Sequence, residues 1–199
     1  MRAQGGESRG TLVLVVGPSG AGKDSLIGYC RERLADDPSV VFPRRVVTRA
    51  EGAFEDHASL AEEAFAREAE AGAFALHWRA HGLSYGIPAS VAGELQGGCS
   101  VVVNVSRLAV EEARRRFSPL IVVLVSARRE VLAERLRGRG RESEEEIARR
   151  LDRAELADLS GPDVYPLDNS GHLSVAGEAL LALLKGCAAS AGQGSLRPL

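Results

Sequence analysis

Five short apolar runs punctuate this chain: Leu12–Val16, Val40–Val47, Ser100–Val105, Leu120–Val125 and Val164–Leu167. In most of them Val, Leu and Ile follow one another without polar alternation. That is the pattern of strands covered on both faces, as in a parallel sheet. Helices are predicted between the runs, over Lys23–Leu34, Leu108–Phe117 and Glu130–Arg137. A last one, Leu173–Leu184, follows an Asp168-Asn-Ser-Gly171 turn. Strand and helix in alternation predict an α/β fold, with right-handed crossovers laying helices over a five-stranded parallel sheet.

Two stretches break the alternation. In residues 48–88, the capping-box pattern Ser59-Leu-Ala-Glu62 predicts a helix from Leu60 to about Ala71. Beyond Gly72, the segment Phe74–Ile87 carries His, Trp, Tyr and Gly and predicts small strands and turns. An insertion that adds nothing to the main sheet is a candidate acceptor-binding subdomain. In residues 135–151, the Gly138/Gly140 pair ends one helix and Ser143-x-x-Glu146 caps the next. A glycine-hinged, arginine-rich hairpin of this kind predicts a lid. The expected organisation is one domain over 10–187, with flexible tails at 1–9 and 188–199.

Composition narrows the function classes. The chain has 199 residues, 45% hydrophobic and 26% charged, enough for one full core. A net charge of −2 supplies no global basic field, so no nucleic-acid partner is expected. Cys30, Cys99 and Cys187 are scattered, which predicts reduced thiols, no metal cluster and a cytoplasmic protein. No apolar stretch is long enough for a membrane span, and the first ten residues lack the apolar core of a secretion signal. A homodimer stays open as an assembly state.

The chemistry begins directly after the first strand. Gly17, Pro18, Ser19, Gly20, Ala21, Gly22 and Lys23 spell the phosphate-binding loop, followed by Asp24 where Ser or Thr is usual, and then Ser25. Glycines let backbone N–H groups converge on phosphate oxygens, the helix beginning near Lys23 adds its positive end, and the lysine reaches the β- and γ-phosphates. ATP with Mg²⁺ is the expected ligand, and Asp24, a hard oxygen donor, the expected metal ligand. The opposing expectation is that Asp24 repels ATP. Arg139 and Arg150 are spaced to point inward from the two arms of the lid; without the loop they would be a solvated, salt-bridged face. Arg49, expected at the carboxyl edge of the sheet, is a candidate clamp for an acceptor phosphate, with the Tyr85 hydroxyl beside it. Asn104 and Arg107 follow the third strand at the same edge. Each also has a plainer reading: surface charge for Arg49 and Arg107, packing for Tyr85, helix capping for Asn104. Trp78 is expected in the core.

Together these motifs resemble the guanylate kinase-like P-loop kinases over residues 10–185. The loop, Thr48-Arg49, Gly82-Leu-Ser-Tyr-Gly86 and the lid from Arg139-Gly-Arg-Glu142 through Arg150-Leu151 carry the likeness. The departures point elsewhere within that group. Leu76 stands where guanylate kinases place the carboxylate that reads guanine, Ile87 replaces a hydroxyl, Asn104-Val-Ser-Arg107 replaces D-x-Q-G, and Gly52 replaces a second phosphate arginine. The combination of Gly22-Lys-Asp-Ser25, Thr48-Arg49 followed by Glu55-Asp-His57, Val103-Asn-Val-Ser-Arg107 and Arg139-Gly-Arg-Glu142 resembles the ribose 1,5-bisphosphate phosphokinases of phosphonate metabolism. That resemblance implies a phosphorylated-sugar acceptor and the reaction of ATP with ribose 1,5-bisphosphate to give ADP and 5-phosphoribosyl 1-diphosphate. It casts Lys23, Arg139 and Arg150 as catalytic, and Arg107 as a cation for the acceptor's extra phosphate. A nucleoside-monophosphate kinase and a non-catalytic binding module remain as alternatives.

Overall fold

The computed structural model describes residues 10–49, 57–80, 82–138, 140, 143–155 and 159–191. Its main sheet is built from β1 (Leu12–Val16), β2 (Val40–Val41), β7 (Ser100–Asn104), β8 (Leu120–Ser126) and β9 (Val164–Asp168), in the order β2-β7-β1-β8-β9. Every pairing in it is parallel. The expected five-stranded parallel sheet is therefore present.

The helices are α1 (Lys23–Arg33), α2 (Glu62–Glu70), α3 (Val91–Gln96), α4 (Val110–Arg116), α5 (Arg129–Gly138), α6 (Glu144–Glu155) and α7 (Leu173–Ala191). β1 shows why the sheet is sandwiched. Val13 and Val15 face α1, α5 and α7, meeting Leu26, Leu132, Leu136, Leu180 and Leu184. Leu12, Leu14 and Val16 face the opposite layer, with Trp78, Ile87, Leu95 and Val110. A strand with period two and apolar residues at every position needs an apolar layer on each side.

The run Val40–Val47 proves to be two strands. Pro43 has no N–H to offer a ladder. Before it, β2 edges the main sheet; after it, β3 (Arg45–Val47) leaves for a second sheet. That sheet, ordered β4-β3-β6-β5, adds β4 (His57–Ser59), β5 (Phe74–Ala80) and β6 (Leu83–Pro88). Here β3 runs parallel to β4 and antiparallel to β6. The inserted unit thus begins at Arg45, three residues earlier than expected. α2 also starts later than the capping box implies. Ala61 is its N-cap, with no side-chain cap, while the Ser59 hydroxyl belongs to β4 and donates to the Arg49 carbonyl at 2.7 Å. The lid cap is as expected: the Ser143 N–H donates to Glu146 Oε2 at 2.8 Å and the Glu146 N–H to Ser143 Oγ at 3.3 Å.

Candidate active site

The glycine-rich loop joins β1 to α1 at the carboxyl end of the sheet. Gly22, at φ 87°, immediately precedes α1. A Cβ there would lie 2.5 Å from Asn169 Nδ2, so only glycine lets the turn and that side chain meet. Asn169 is buried and donates to the Ala21 carbonyl at 2.8 Å. Arg135 of α5 donates to the Asn169 carbonyl at 2.9 Å, which ties the loop to the start of α7. The Lys23 ammonium donates to the Gly17 and Pro18 carbonyls, each at 2.9 Å. It lies across the loop it serves. Arg150 of α6 donates to Ser19 Oγ at 2.9 Å, so α6 reaches the phosphate loop.

Two hollows flank the first turn of α1. One, of about 370 Å³, is lined by Gly20, Gly22, Ser25, Arg135, Gly138 and Asn169, with Leu173. The other, of about 220 Å³, lies between α1, β3, β6 and β7. Asp24, Arg31, Arg45 and Asn104 supply its polar groups, and Ile27, Ile87, Val102 and Val103 its apolar ones. Asn104 donates to the Asp24 carboxylate at 2.6 Å, and the Arg45 guanidinium stands 3.7 Å from the same carboxylate. Asp24 is exposed at the loop's end, beside Lys23 and Ser25. Its remaining oxygen valence is a hard donor of the kind Mg²⁺ takes, so the residue fits that ion.

The sequence-derived residues fall into three groups. The loop residues, Asp24, Asn104 and Arg150 converge. Tyr85, Arg49 and Arg107 line neither hollow. Tyr85 stacks on Trp78 with centroids 5.4 Å apart, and its ring lies 5.9 Å from Arg45. It is therefore a packed aromatic at the hollow's border. Arg49 is exposed and follows β3, which corrects its expected place at the main sheet's edge, because β3 left that sheet at Pro43. Arg107 sits in a single 3₁₀ turn, Arg107–Ala109, after β7. Its side chain is half-buried and has no hydrogen-bond or ion-pair partner among the described residues; desolvation draws its pKa down. Arginine keeps its charge regardless, so the environment there favours an arriving anion. Arg139 lies outside the described residues.

Sequence reasoning missed Arg31, Arg45 and Asn169 as site residues. Arg45 belongs to an Arg44-Arg45 doublet that reads as ordinary surface charge, and Asn169 to a segment that reads only as a turn. His57 is fully buried with neither ring nitrogen partnered among the described residues.

The chain resembles several curated proteins over most of its length, while no family model matches it. "Ribose 1,5-bisphosphate phosphokinase PhnN" of Brucella melitensis is 49% identical over 174 residues, covering 87% of this chain and 91% of that protein. The protein of the same name from Thiobacillus denitrificans is 49% identical over 184 residues, covering 92% and 97%. That from Acidiphilium cryptum is 51% identical over 178 residues, covering 89% and 94%. Among solved structures, guanylate kinase from Anaplasma phagocytophilum superposes with a TM-score of 0.63 at 19% identity, over 90% of this chain and 87% of that one. A gluconokinase from Sinorhizobium meliloti gives 0.53 at 20% identity, over 96% and 100%. These likenesses establish the P-loop kinase fold.

Proposed function

The chain belongs to the ribose 1,5-bisphosphate phosphokinase family, and from that premise we propose that it transfers the γ-phosphoryl group of ATP to the 1-phosphate of ribose 1,5-bisphosphate. The products are ADP and 5-phosphoribosyl 1-diphosphate. One observation carries the reading. A complete phosphate loop with its lysine stands between two hollows, and the smaller one pairs arginines with an Ile87 floor.

In this reading the larger hollow takes the nucleotide, with Arg135 and Asn169 beside it. The backbone N–H groups of Gly20, Ala21, Gly22 and Lys23 hold its phosphates. The nucleophile is an oxygen of the acceptor's 1-phosphate, already anionic at neutral pH, so no strong general base is required. As it bonds to the γ-phosphorus, the bond to the ADP oxygen breaks, and Lys23 and Arg150 offset the charge that spreads over the equatorial oxygens. Lys23 exchanges its carbonyl partners for phosphate as ATP arrives. Arg139 is proposed to join from the other arm of the lid. Mg²⁺, when bound, neutralises the β- and γ-phosphates, and Asp24 would hold it. Arg49, the Tyr85 hydroxyl and Arg107 meet the 1-phosphate from the border of the smaller hollow, and Asn104 keeps Asp24 in place. Leu76 and Ile87 supply no hydrogen-bond partner to a purine edge, which a site must offer to select a base. Residues 45–88 act as the acceptor-binding unit and 135–151 as the lid of one domain.

The test is an acceptor panel with ATP and Mg²⁺, followed by ADP release and phosphorus NMR. Ribose 1,5-bisphosphate should yield a coupled diphosphate pair on the sugar, and GMP little product. Rapid GMP phosphorylation without a sugar diphosphate signal would return the chain to the nucleoside-monophosphate kinases.

A further inference from the structure

We propose that Arg31 and Arg45 form a second phosphate subsite, which grips the acceptor's 5-phosphate and so makes the enzyme selective for a sugar carrying two phosphates. This rests on the function proposed above. The smaller hollow follows α1 from Asp24 to Arg31, about 10 Å of helix at 1.5 Å per residue. Its loop end holds Asp24 and Asn104, where the reacting phosphate must approach Lys23. Arg31 lies about two helical turns further on. Arg45 starts β3, and Arg49, the proposed clamp for the reacting phosphate, lies four residues later, at most about 13 Å of extended chain. Arg31 and Arg45 thus line one hollow with Asp24 and Asn104, the Arg45 guanidinium leaning toward Asp24 and Arg31 standing further along α1.

The state of Arg45 fits this role. Its side chain is only 17% exposed, yet its approach to Asp24, at 3.7 Å, is too long for a hydrogen bond. Asp24 itself is more than half exposed and already accepts from Asn104. A phosphate dianion offers the guanidinium two short parallel bonds in place of that loose contact. Between the arginines, the hollow is lined by Ile87, Val102 and Val103, which suit the carbon face of a sugar but leave the second phosphate dependent on Arg31 and Arg45.

The experiment compares kcat/KM for ribose 1,5-bisphosphate and ribose 1-phosphate, which lacks the distal group, in the parent, Arg45→Met, Arg31→Met and Arg45→Lys. Thermal melts and ATP affinity serve as checks that each variant is folded. On the bisphosphate Arg45→Met should lose about 30-fold or more, the usual loss when one partner of a desolvated charge pair is removed, and Arg31→Met, at an exposed position, about fivefold. On ribose 1-phosphate Arg31→Met should change by no more than about threefold, and Arg45→Met, which also frees Asp24 of a neighbouring cation, should lose clearly less than it does on the bisphosphate. Arg45→Lys should recover part of the loss. Equal losses on both acceptors, or no loss on either, would overturn the subsite while leaving the reaction standing. A parent that uses neither sugar would overturn the reaction itself, and the subsite with it.

Discussion

Asp24 is the residue whose chemistry departs most from the ordinary phosphate loop, where a hydroxyl follows the lysine. Its carboxylate accepts from Asn104 at 2.6 Å and faces Arg45. The negative charge is thereby partly offset before any ligand arrives, which answers the objection that it repels ATP. If it holds Mg²⁺, Asp24→Asn should lower the rate and raise the Mg²⁺ concentration for half-maximal activity by about tenfold, the effect of losing roughly 1.4 kcal/mol of charge-assisted binding. Asp24→Ser, which restores the usual hydroxyl, should keep activity. Initial rates across a Mg²⁺ series decide it; an Asn variant faster than the parent at every concentration would leave the carboxylate a mere repulsive accident. The loop was legible in sequence because its chemistry is local. The Asp24–Asn104 contact joins residues that are neighbours only because β1 and β7 lie side by side, with Val15 paired to Asn104. Arg45 was illegible for a related reason: an arginine at a strand start is ordinary until its strand leaves the main sheet.

At the scale of elements, α6, the proposed lid arm, links a helix cap to the phosphate loop. Ile147 and Leu151 of α6 are buried in the core beside α1 and α5, while Arg150, one position earlier than Leu151, reaches Ser19. Arg150→Ala should reduce kcat by about 10- to 100-fold and change KM for ATP less, because the contact strengthens as charge develops in the closed complex. Unchanged kcat would make Arg150 a structural tether only. Ser143→Ala removes the hydroxyl half of the reciprocal cap and should destabilise α6 by about 1 kcal/mol, read as faster amide exchange there. The backbone and hydroxyl of Ser143 hold the Glu146 carboxyl below its ordinary pKa. The cap's contribution is then complete above the unfolded value, near ~4.3, and fades as pH falls through the lower folded value. This cap could be read from four residues, whereas α3 could not: it is six residues long, includes Gly93, and has no side-chain cap. Its helix depends on burying Val91 and Leu95 rather than on local signals.

Over the whole molecule the charge is slightly negative, yet Lys23, Arg31, Arg45, Arg135 and Arg150 belong to the phosphate loop, its contacts and the two hollows beside it. The positive field is a local construction around two hollows with the phosphate loop between them, which suits small polyanions. If those hollows are the donor and acceptor ends of one reaction path, a single compound can fill both. Adenosine joined through a chain of phosphates to C1 of ribose 5-phosphate would place one end in each, and its second end would bind at high effective concentration. Such linkage commonly gains 10²- to 10⁴-fold in affinity when the connector spans the sites, and nothing when it is too short. The expected outcome is competition against both ATP and ribose 1,5-bisphosphate, with a dissociation constant about 100-fold or more below that of ADP. Amide exchange in α6 should slow on binding, as the lid closes over the phosphate chain. A series of chain lengths measured by calorimetry supplies the control, since analogues too short to span the loop should bind no better than ADP. Competition with ATP alone at every chain length would mean that the smaller hollow does not receive the acceptor, and that the two cavities do not share a reaction path.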